Sequence, residues 1–184
     1  MTASTSAADL TGDYDLDPTH TQLGFVARHA MVTKVRGTFK EFEGQLHING
    51  AEPTKSTGGL RMVARSIDTG VEQRDDHLRS NDFFDMENYP ELTFTSTKVE
   101  HSGGDSYQVT GDLTVKDHTR PVTMDVEYTG SATDPFGNQR LGLEGSVTIN
   151  RKDWGLTWNA PLEAGGVLVS EKVTITVDIS AIKR

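Results

Sequence analysis

The sequence predicts an all-β protein: one eight-stranded antiparallel β-barrel with a short helical insertion around residues 70–85. Apolar and polar residues alternate with a period of two through most of the chain, which is typical of strands with one buried and one solvated face. Segments rich in Gly, Asn, Asp and Pro separate these runs and predict turns. The 184 residues are enough for one domain with a sizeable core.

The clearest strands lie in the second half of the chain. Four runs carry apolar residues at every second position: Tyr107 to Val115, Val122 to Tyr128, Leu143 to Asn150 and Val173 to Ile179. Turn residues stand at 102–105, 117–121 and 134–138. Such runs, joined by short turns, indicate antiparallel hairpins.

Four further strands are predicted in the first hundred residues: Thr21–His29, Val35–Ile48, Leu60–Asp68 and Pro90–Val99. In the long second run, the apolar positions change phase near Phe42 and Gly44. A slip of one residue is the signature of a β-bulge, and bulges allow a sheet to bend. The pattern alone does not distinguish a closed barrel from a sandwich, but long strands, few prolines and a bulge favour closure.

One segment departs from the strand pattern. Thr69 and Glu72 have the spacing of a capping box, with Thr69 as the N-cap residue. Residues 73–85 contain no Gly, Pro or β-branched residue. A short helix is therefore predicted here.

The termini indicate one folded domain over residues 11–184, preceded by a disordered tail over residues 1–10. Met1 to Leu10 are mainly Thr, Ala and Ser, which bury too little surface to offset the entropy of ordering. No signal peptide is visible, and no apolar run approaches the ~18 residues of a membrane span. We therefore expect a cytoplasmic protein without a transmembrane segment.

Composition excludes several classes of function. The net charge of −9 argues against nucleic acid or an anionic membrane as the main partner. The absence of cysteine excludes disulfides, thiolate metal sites and a cysteine nucleophile. No metal-binding, nucleotide-binding or nucleophile-elbow motif is present. We expect no metal, no cofactor and no catalytic residues.

Three polar residues are candidates for contact with a ligand. His29 is in phase with the apolar residues of its strand, so it either faces a cavity or is a hydrogen-bonded core histidine. Arg74 and His77 lie in the charge-rich helical segment, where a solvated helix face is the alternative. The aromatic side chains either fill a solid core or line a hollow one; the candidates are Phe25, Phe39, Phe42, Phe84, Phe94 and Trp154.

Several sequence blocks occur together in a specific order. They are Asp17-Pro18-Thr19-His20, Val35-Arg36-Gly37-Thr38-Phe39, Arg74-Asp75-Asp76-His77-Leu78, Tyr89-Pro90-Glu91-Leu92-Thr93-Phe94 and Asn150-Arg151-Lys152-Asp153-Trp154-Gly155. With this order and spacing, from Asp13 to Ile182, the chain resembles the YceI-like family of polyisoprenoid-binding proteins. The resemblance implies an extended, lipocalin-like eight-stranded barrel. It also implies a carrier of long apolar molecules such as polyprenyl chains, isoprenoid quinones or fatty-acid derivatives.

The expected function is therefore binding, transport or storage of an isoprenoid lipid, without catalysis. Its tail would thread the barrel, while His29, Arg74 and His77 contact the head group. Arg74 suits a phosphate as a bidentate donor. Two alternatives remain open: a hydrolase or isomerase with His29 or His77 as general base, and a solid-cored protein that works through protein contacts. A homodimer is compatible with the sequence, although no apolar surface stripe demonstrates one.

Overall fold

The computed structural model describes residues 7–162, 166 and 168–184 of the chain. Strands account for most of these residues. They are β1 (Gly12–Leu16), β2 (Gln22–His29), β3 (Thr33–Phe39), β4 (Phe42–Ile48), β5 (Thr57–Val63), β6 (Ile67–Asp68), β7 (Glu91–Gly103), β8 (Ser106–Val115), β9 (His118–Thr133), β10 (Gln139–Asn150) and β11 (Lys172–Lys183). One α-helix, α1 (Glu72–Arg79), lies between β6 and β7.

Eight strands form a closed antiparallel ring, which confirms the predicted barrel. Their order is β1-β4-β5-β7-β8-β9-β10-β11, and pairing between β1 and β11 closes the ring. Leu16 opposite Ala181 is one of the closing pairs. In a closed ring, each of these eight strands has a neighbour on both sides. The sheets of a sandwich would instead end in edge strands with unpaired backbone groups.

The strand β11 pairs with two different partners on one side. Its last residues pair with β1, whereas Thr174 to Asp178 pair with β2. Strands β1 and β2 therefore follow one path, interrupted at 17–21. From β2 the sheet continues outward through β3 to β6. We call the barrel end with the β2–β3 hairpin and the β10–β11 connection the lower end, and the end with the β9–β10 loop the upper end.

The phase change predicted near Phe42 and Gly44 marks a break between two strands. Lys40 and Glu41 lie outside both ladders, β3 ends at Phe39 and β4 begins at Phe42. Phe39 and Gly44 are both buried, so the two residues outside the ladders shift the inward-facing set by one position. This bend separates the barrel wall from the β2–β3–β6 extension.

The lower half of the barrel has a solid core. Trp154 is 3% exposed, and its Nε1–H donates a hydrogen bond to the carbonyl oxygen of Leu113 at 2.9 Å. Phe83, Ile67 and Leu92 are buried in the same hydrophobic cluster. Trp154 therefore closes this half of the barrel as a packed plug, with its polar atom satisfied.

The helix is present where it was predicted, but the predicted cap is wrong. Val71 is the N-cap residue and makes no side-chain capping bond. Thr69 instead donates its backbone N–H and its hydroxyl to Oδ1 of Asp75. A capping hydroxyl accepts a backbone N–H, but Oγ1 of Thr69 accepts from Nε of Arg74 at 2.7 Å. Asp75 is buried, and its bonds to Thr69 hold the residues that precede the helix.

The amino-terminal boundary differs from the predicted tail over 1–10. Residues 1–6 lie outside the described residues, but Ala7–Leu10 form a turn of 3₁₀ helix. Leu10 is buried, and its carbonyl accepts a 2.8 Å hydrogen bond from the hydroxyl of Tyr14. One apolar side chain and one buried hydrogen bond hold this turn against the barrel.

Within the described ranges, no helix has the length and apolar character required to cross a membrane.

Candidate ligand cavity

The upper half of the barrel encloses a cavity of about 300 Å³. Its wall is built from inward-facing side chains of the barrel strands, together with Leu10 and residues of the connection between β4 and β5. The apolar lining residues are Leu10, Leu46, Ile48, Leu60, Phe94, Val99, Val109, Met124, Val126, Leu141, Leu143, Val177 and Ile179. The alternation that defines the strands therefore also defines the wall, because residues at i and i+2 face the same side.

The floor of the cavity is formed by the lining residue nearest to the lower end on each of seven strands. These residues are Leu46, Leu60, Phe94, Val109, Met124, Leu143 and Val177. The next inward residues below them on β5, β7, β8 and β9 are Met62, Leu92, Gly111 and Val122, all buried. The hollow half and the solid half of the barrel therefore meet at this layer.

Two glycines allow the floor to pack. A Cβ atom at Gly111 would lie 2.4 Å from Cζ of Phe94, so the Phe94 ring occupies the space that a side chain would need. A Cβ at Gly145 would lie 2.8 Å from Sδ of Met124 and 3.0 Å from Cγ2 of Val177. Such distances are shorter than van der Waals contact, so any side chain here would displace the floor.

Polar groups are concentrated toward the upper end of the cavity. Tyr107 on β8 faces Val126 on β9, so Tyr128 is its diagonal neighbour on the same face. Neither phenol hydroxyl has a hydrogen-bond partner among the described residues. Both hydroxyls can therefore bond to a ligand. By contrast, the hydroxyl of Tyr14 is engaged by Leu10, and burial, then the nearby Tyr128, raises the pKa of Tyr14.

The lining carries little charge. Asp105 is the one charged residue among the described residues that line the cavity, and no Lys, Arg or His is among them. The other polar lining residues are Asn49, Ser56, Thr57 and Ser96. Within the described ranges, no three His, Asp or Glu side chains are close enough to hold a metal ion.

An ion-pair network fastens the β9–β10 loop near this end. Arg140 contacts Asp17 through Nη1 at 2.6 Å and Asp134 through Nε at 2.8 Å. Burial alone would raise both carboxyl pKa values. Hydrogen bonds from Arg140, with Asn138 as a further donor, instead hold the pKa of Asp134 at about 2. Arg140, His20 and Thr19 hold the pKa of Asp17 well below its usual range.

Of the nine ligand-contact candidates from the sequence, Phe94 lines the cavity. Phe25, Phe39 and Phe84 instead form an aromatic cluster at the lower extension, with ring centroids 6.3 Å apart for Phe25–Phe39 and 5.9 Å for Phe39–Phe84. Phe42 packs against the core outside the lining. Trp154 is the buried plug described above.

The three polar candidates also lie outside this lining. His29 is exposed at the end of β2, where its backbone pairs with Val169. Arg74 donates from Nε to the hydroxyl of Thr69 at 2.7 Å and from Nη2 to the Thr69 carbonyl at 2.7 Å. These bonds orient Arg74 toward the residues that precede α1.

His77 belongs to an aromatic contact at the lower end. Its ring stands edge-on to Trp158 at 4.5 Å and to Phe83 at 5.1 Å between centroids. Its Nε2 is 2.9 Å from Oδ2 of Asp82. In the structure, His77 therefore packs α1 against Trp158 and Phe83.

Sequence analysis did not select Tyr107 and Tyr128 as ligand contacts. The available signal was their position in the apolar phase of two strands, where a tyrosine brings a hydroxyl into the interior. The sequence does not show which part of the barrel is hollow, so it could not show that these two tyrosines face a cavity.

Comparisons with known proteins give the same architecture. The chain is 24% identical to BcnA of Burkholderia cenocepacia, with a TM-score of 0.79 over 90% of this chain and 98% of that one. It is 26% identical to a YceI protein of Campylobacter jejuni, with a TM-score of 0.74 over 92% and 96%. A polyisoprenoid-binding domain from Saccharophagus degradans is 17% identical, with a TM-score of 0.70 over 93% and 98%.

Relatives with higher identity are found by sequence. A UPF0312 protein of Staphylococcus epidermidis is 40% identical over 163 residues, which are 87% of this chain and 91% of the relative. A UPF0312 protein of Staphylococcus aureus is 37% identical over 164 residues, 88% and 92% of the two chains. The sequence profile of the YceI-like domain matches residues 14–181. The chain therefore belongs to the YceI-like family.

Proposed function

We propose that this protein binds an apolar, isoprenoid-type chain in the upper cavity and carries or stores it. The observation that carries the proposal is the cavity itself, an interior space of about 300 Å³ with an almost wholly apolar wall. Ligand sites in proteins are typically apolar hollows with a few polar groups that fix orientation. The described polyisoprenoid-binding domain of Saccharophagus degradans shares this fold and supports the choice of ligand class.

The volume limits how much of a ligand the cavity can hold. An apolar cavity of about 150 Å³ accommodates one benzene, so about 300 Å³ accommodates roughly twelve carbon atoms. That corresponds to two or three isoprene units. A longer tail would extend beyond the mouth or require the floor at Met124 and Val177 to move. Burial contributes about 0.8 kcal/mol per methylene, before the entropic cost of binding.

The lining favours an uncharged head group. Tyr107 and Tyr128 can donate hydrogen bonds to a carbonyl or hydroxyl oxygen, and Asp105 would repel an anion. A phosphate lacks a cationic partner among the described lining residues. We therefore propose a quinone, alcohol or amide head in preference to a prenyl phosphate, and assign its contacts to Tyr107 and Tyr128.

The first experiment is native mass spectrometry of the purified protein, followed by organic extraction. A bound mass that changes in steps of one isoprene unit supports the carrier function and identifies the tail. An unliganded mass, with no uptake of added isoprenoid quinone or isoprenoid alcohol, would contradict the proposal.

A pair of variants on β9 localises the ligand. Val126→Trp fills the cavity from inside, whereas Glu127→Trp adds the same side chain to the outer face one residue later. We expect Val126→Trp to lose binding of a fluorescent apolar probe and Glu127→Trp to retain it. Equal affinities for the two variants would place the ligand elsewhere.

A further inference from the structure

The tip of the β2–β3 hairpin exposes two bulky apolar side chains at the lower end. Met31 is 62% exposed and Val32 is 73% exposed. They are adjacent in sequence and stand at the turn that joins the two strands. Exposed apolar side chains that cluster at a projecting tip indicate a contact surface.

The backbone of this turn is unfavourable for the residues it contains. Ala30 and Met31 have φ angles of 50° and 61°, and the N–H of Val32 donates to the carbonyl of His29 at 3.0 Å. A two-residue turn with two positive φ angles favours Asn and Gly. Apolar side chains stand here against local preference, which points to a role outside folding.

The strands below the tip carry positive charge on one face. Arg28 stands directly opposite Lys34, and Arg36 lies on the same face, opposite Val26. Like charges facing each other across two strands are destabilising. Among the described residues, no carboxylate forms an ion pair with any of these three cations.

The positive charge of the hairpin is local, and it is opposite in sign to the net charge of the whole chain. Between Asp17 and Glu41 the sequence contains four basic residues, Arg28, Lys34, Arg36 and Lys40, and no acidic residue. The chain as a whole has a net charge of −9. The net charge argued against an anionic membrane as a partner, but an orientation that presents the hairpin brings only its positive face close to such a surface.

We infer that the β2–β3 hairpin docks the protein on an anionic lipid surface. Met31 and Val32 enter the headgroup region, while Arg28, Lys34 and Arg36 lie against the anionic headgroups. An apolar tip next to a cationic face matches the layering of a bilayer interface, where the apolar interior lies beneath the charged headgroups. An acidic protein partner would satisfy the cations but offers no such layer at the tip.

A vesicle experiment with matched charge changes tests the electrostatic part. The vesicles contain phosphatidylcholine alone or equal parts of phosphatidylcholine and phosphatidylglycerol, and co-sedimentation is measured at low salt. The doubly substituted Arg28→Gln, Lys34→Gln variant is compared with Lys55→Gln, Lys98→Gln, which loses the same charge elsewhere on the surface. Each cation near the surface contributes about fivefold in affinity.

We expect the native protein to bind only the anionic vesicles. The hairpin variant should lose more than about tenfold in affinity, and the control variant should change little. Removing the opposed cations also relieves repulsion, so the hairpin variant should remain folded. Equal losses in the two variants, or no vesicle binding by the native protein, would overturn the inference.

A fluorescent label tests the apolar part. The sequence contains no cysteine, so Met31→Cys provides a single site for an environment-sensitive dye. Phe136→Cys is the control, because Phe136 is 88% exposed on the β9–β10 loop at the opposite end. A blue shift on anionic vesicles at position 31 and none at position 136 is expected. The same spectrum at both positions, or no shift at 31, would contradict insertion of the tip.

This inference and the proposed cavity function fail independently. Uptake of an apolar ligand is measured without vesicles, and vesicle binding is measured without added ligand.

Discussion

At the scale of single residues, the buried guanidinium of Arg151 is held by hydrogen bonds to backbone carbonyl oxygens. Arg151 is 3% exposed and has no carboxylate in ion-pair contact among the described residues. Its guanidinium instead donates to the carbonyl oxygens of Ser170, Leu156 and Val169. Burial lowers the pKa of Arg151, while Glu171 opposes this shift. The planar fork of arginine thus ties both ends of the β10–β11 connection together.

Replacing Arg151 with Lys should therefore destabilise the protein, because a lysine ammonium cannot reach three separated carbonyls. We expect the free energy of unfolding in urea to fall by about 2–4 kcal/mol. Lys152→Gln is the control: its ion pair with Glu171 is exposed, so its loss should cost less than about 1 kcal/mol. Similar losses for the two variants would show that the carbonyl contacts contribute little.

The ion pairs of Arg140 predict a pH dependence. The folded-state pKa values of Asp17 and Asp134 lie below those of the unfolded chain. The stabilisation is therefore present above about pH 4 and is lost as the pH falls through about 2. We expect Asp134→Asn to reduce this acid-dependent loss of stability, measured by urea unfolding at several pH values. Asp112→Asn changes an exposed carboxylate on β8, so it should leave the pH dependence as it is in the native protein.

At the scale of secondary-structure elements, the alternation predicted the inward faces of β8 and β9 correctly, but it wrongly placed His29 of β2 on an inward face. It also did not predict what the inward faces enclose. The apolar phase of β9 continues unchanged from Val122 in the solid core to Val126 in the cavity wall. Whether such a face is hollow depends on side chains that arrive from elsewhere, such as Trp154 on its own 3₁₀ turn. The wrongly predicted capping box at Thr69 has a similar origin, because the hydroxyl oxygen that would accept a backbone N–H of the helix accepts a hydrogen bond from Arg74 instead.

The packing between β7 and β8 predicts that Gly111 is essential for the floor. A Cβ at Gly111 would lie 2.6 Å from the backbone oxygen of Thr95 as well as against Phe94, and backbone cannot move aside easily. We expect Gly111→Ala to lower the free energy of unfolding by about 1–3 kcal/mol. Binding of an apolar probe should weaken as well, because Phe94 is displaced into the cavity.

Gly59→Ala is the matched control on the neighbouring strand β5. Its Cβ would lie 3.7 Å from the nearest atom, the carbonyl oxygen of Phe94, which is ordinary contact. The same urea and probe measurements should give values close to those of the native protein. A Gly111→Ala variant that matched this control would show that the floor repacks freely.

At the scale of the whole molecule, our proposals assign different functions to the two ends of the barrel: ligand binding to the upper end and membrane contact to the lower end. The upper end holds the cavity with its uncharged polar groups, and the lower end holds the plug and the cationic hairpin. The sequence resemblance predicted the barrel, which the structure confirms, and a class of ligand, which stays a prediction. It could not assign the two ends. That assignment requires the relative positions, along the barrel axis, of residues on different strands. The alternation within a single strand does not contain this information.

Ligand binding in the cavity should stabilise the entire fold. A ligand at a hundredfold excess over its Kd adds about 2.7 kcal/mol to the stability of the native state. For a protein of this size, that corresponds to a rise in Tm of roughly 5–10 °C. Thermal unfolding followed by circular dichroism, with and without an isoprenoid quinone, measures the shift. An unchanged Tm in the native protein, or an equal rise in the Val126→Trp variant, would argue against binding in the cavity.

The closing pair between β1 and β11 also bears on how the molecule is made. On the ribosome β1 emerges first and β11 emerges last, so the two sides of the seam are separated in time by the synthesis of nearly everything between them. Until β11 arrives, β10, β1 and β2 each lack a neighbour, and contacts so distant in sequence form slowly. The nascent barrel is an open sheet with unpaired edges and an exposed apolar face. The cavity is therefore complete only once β11 has paired with β10 and β1, and under our proposal an apolar ligand is enclosed only after that step.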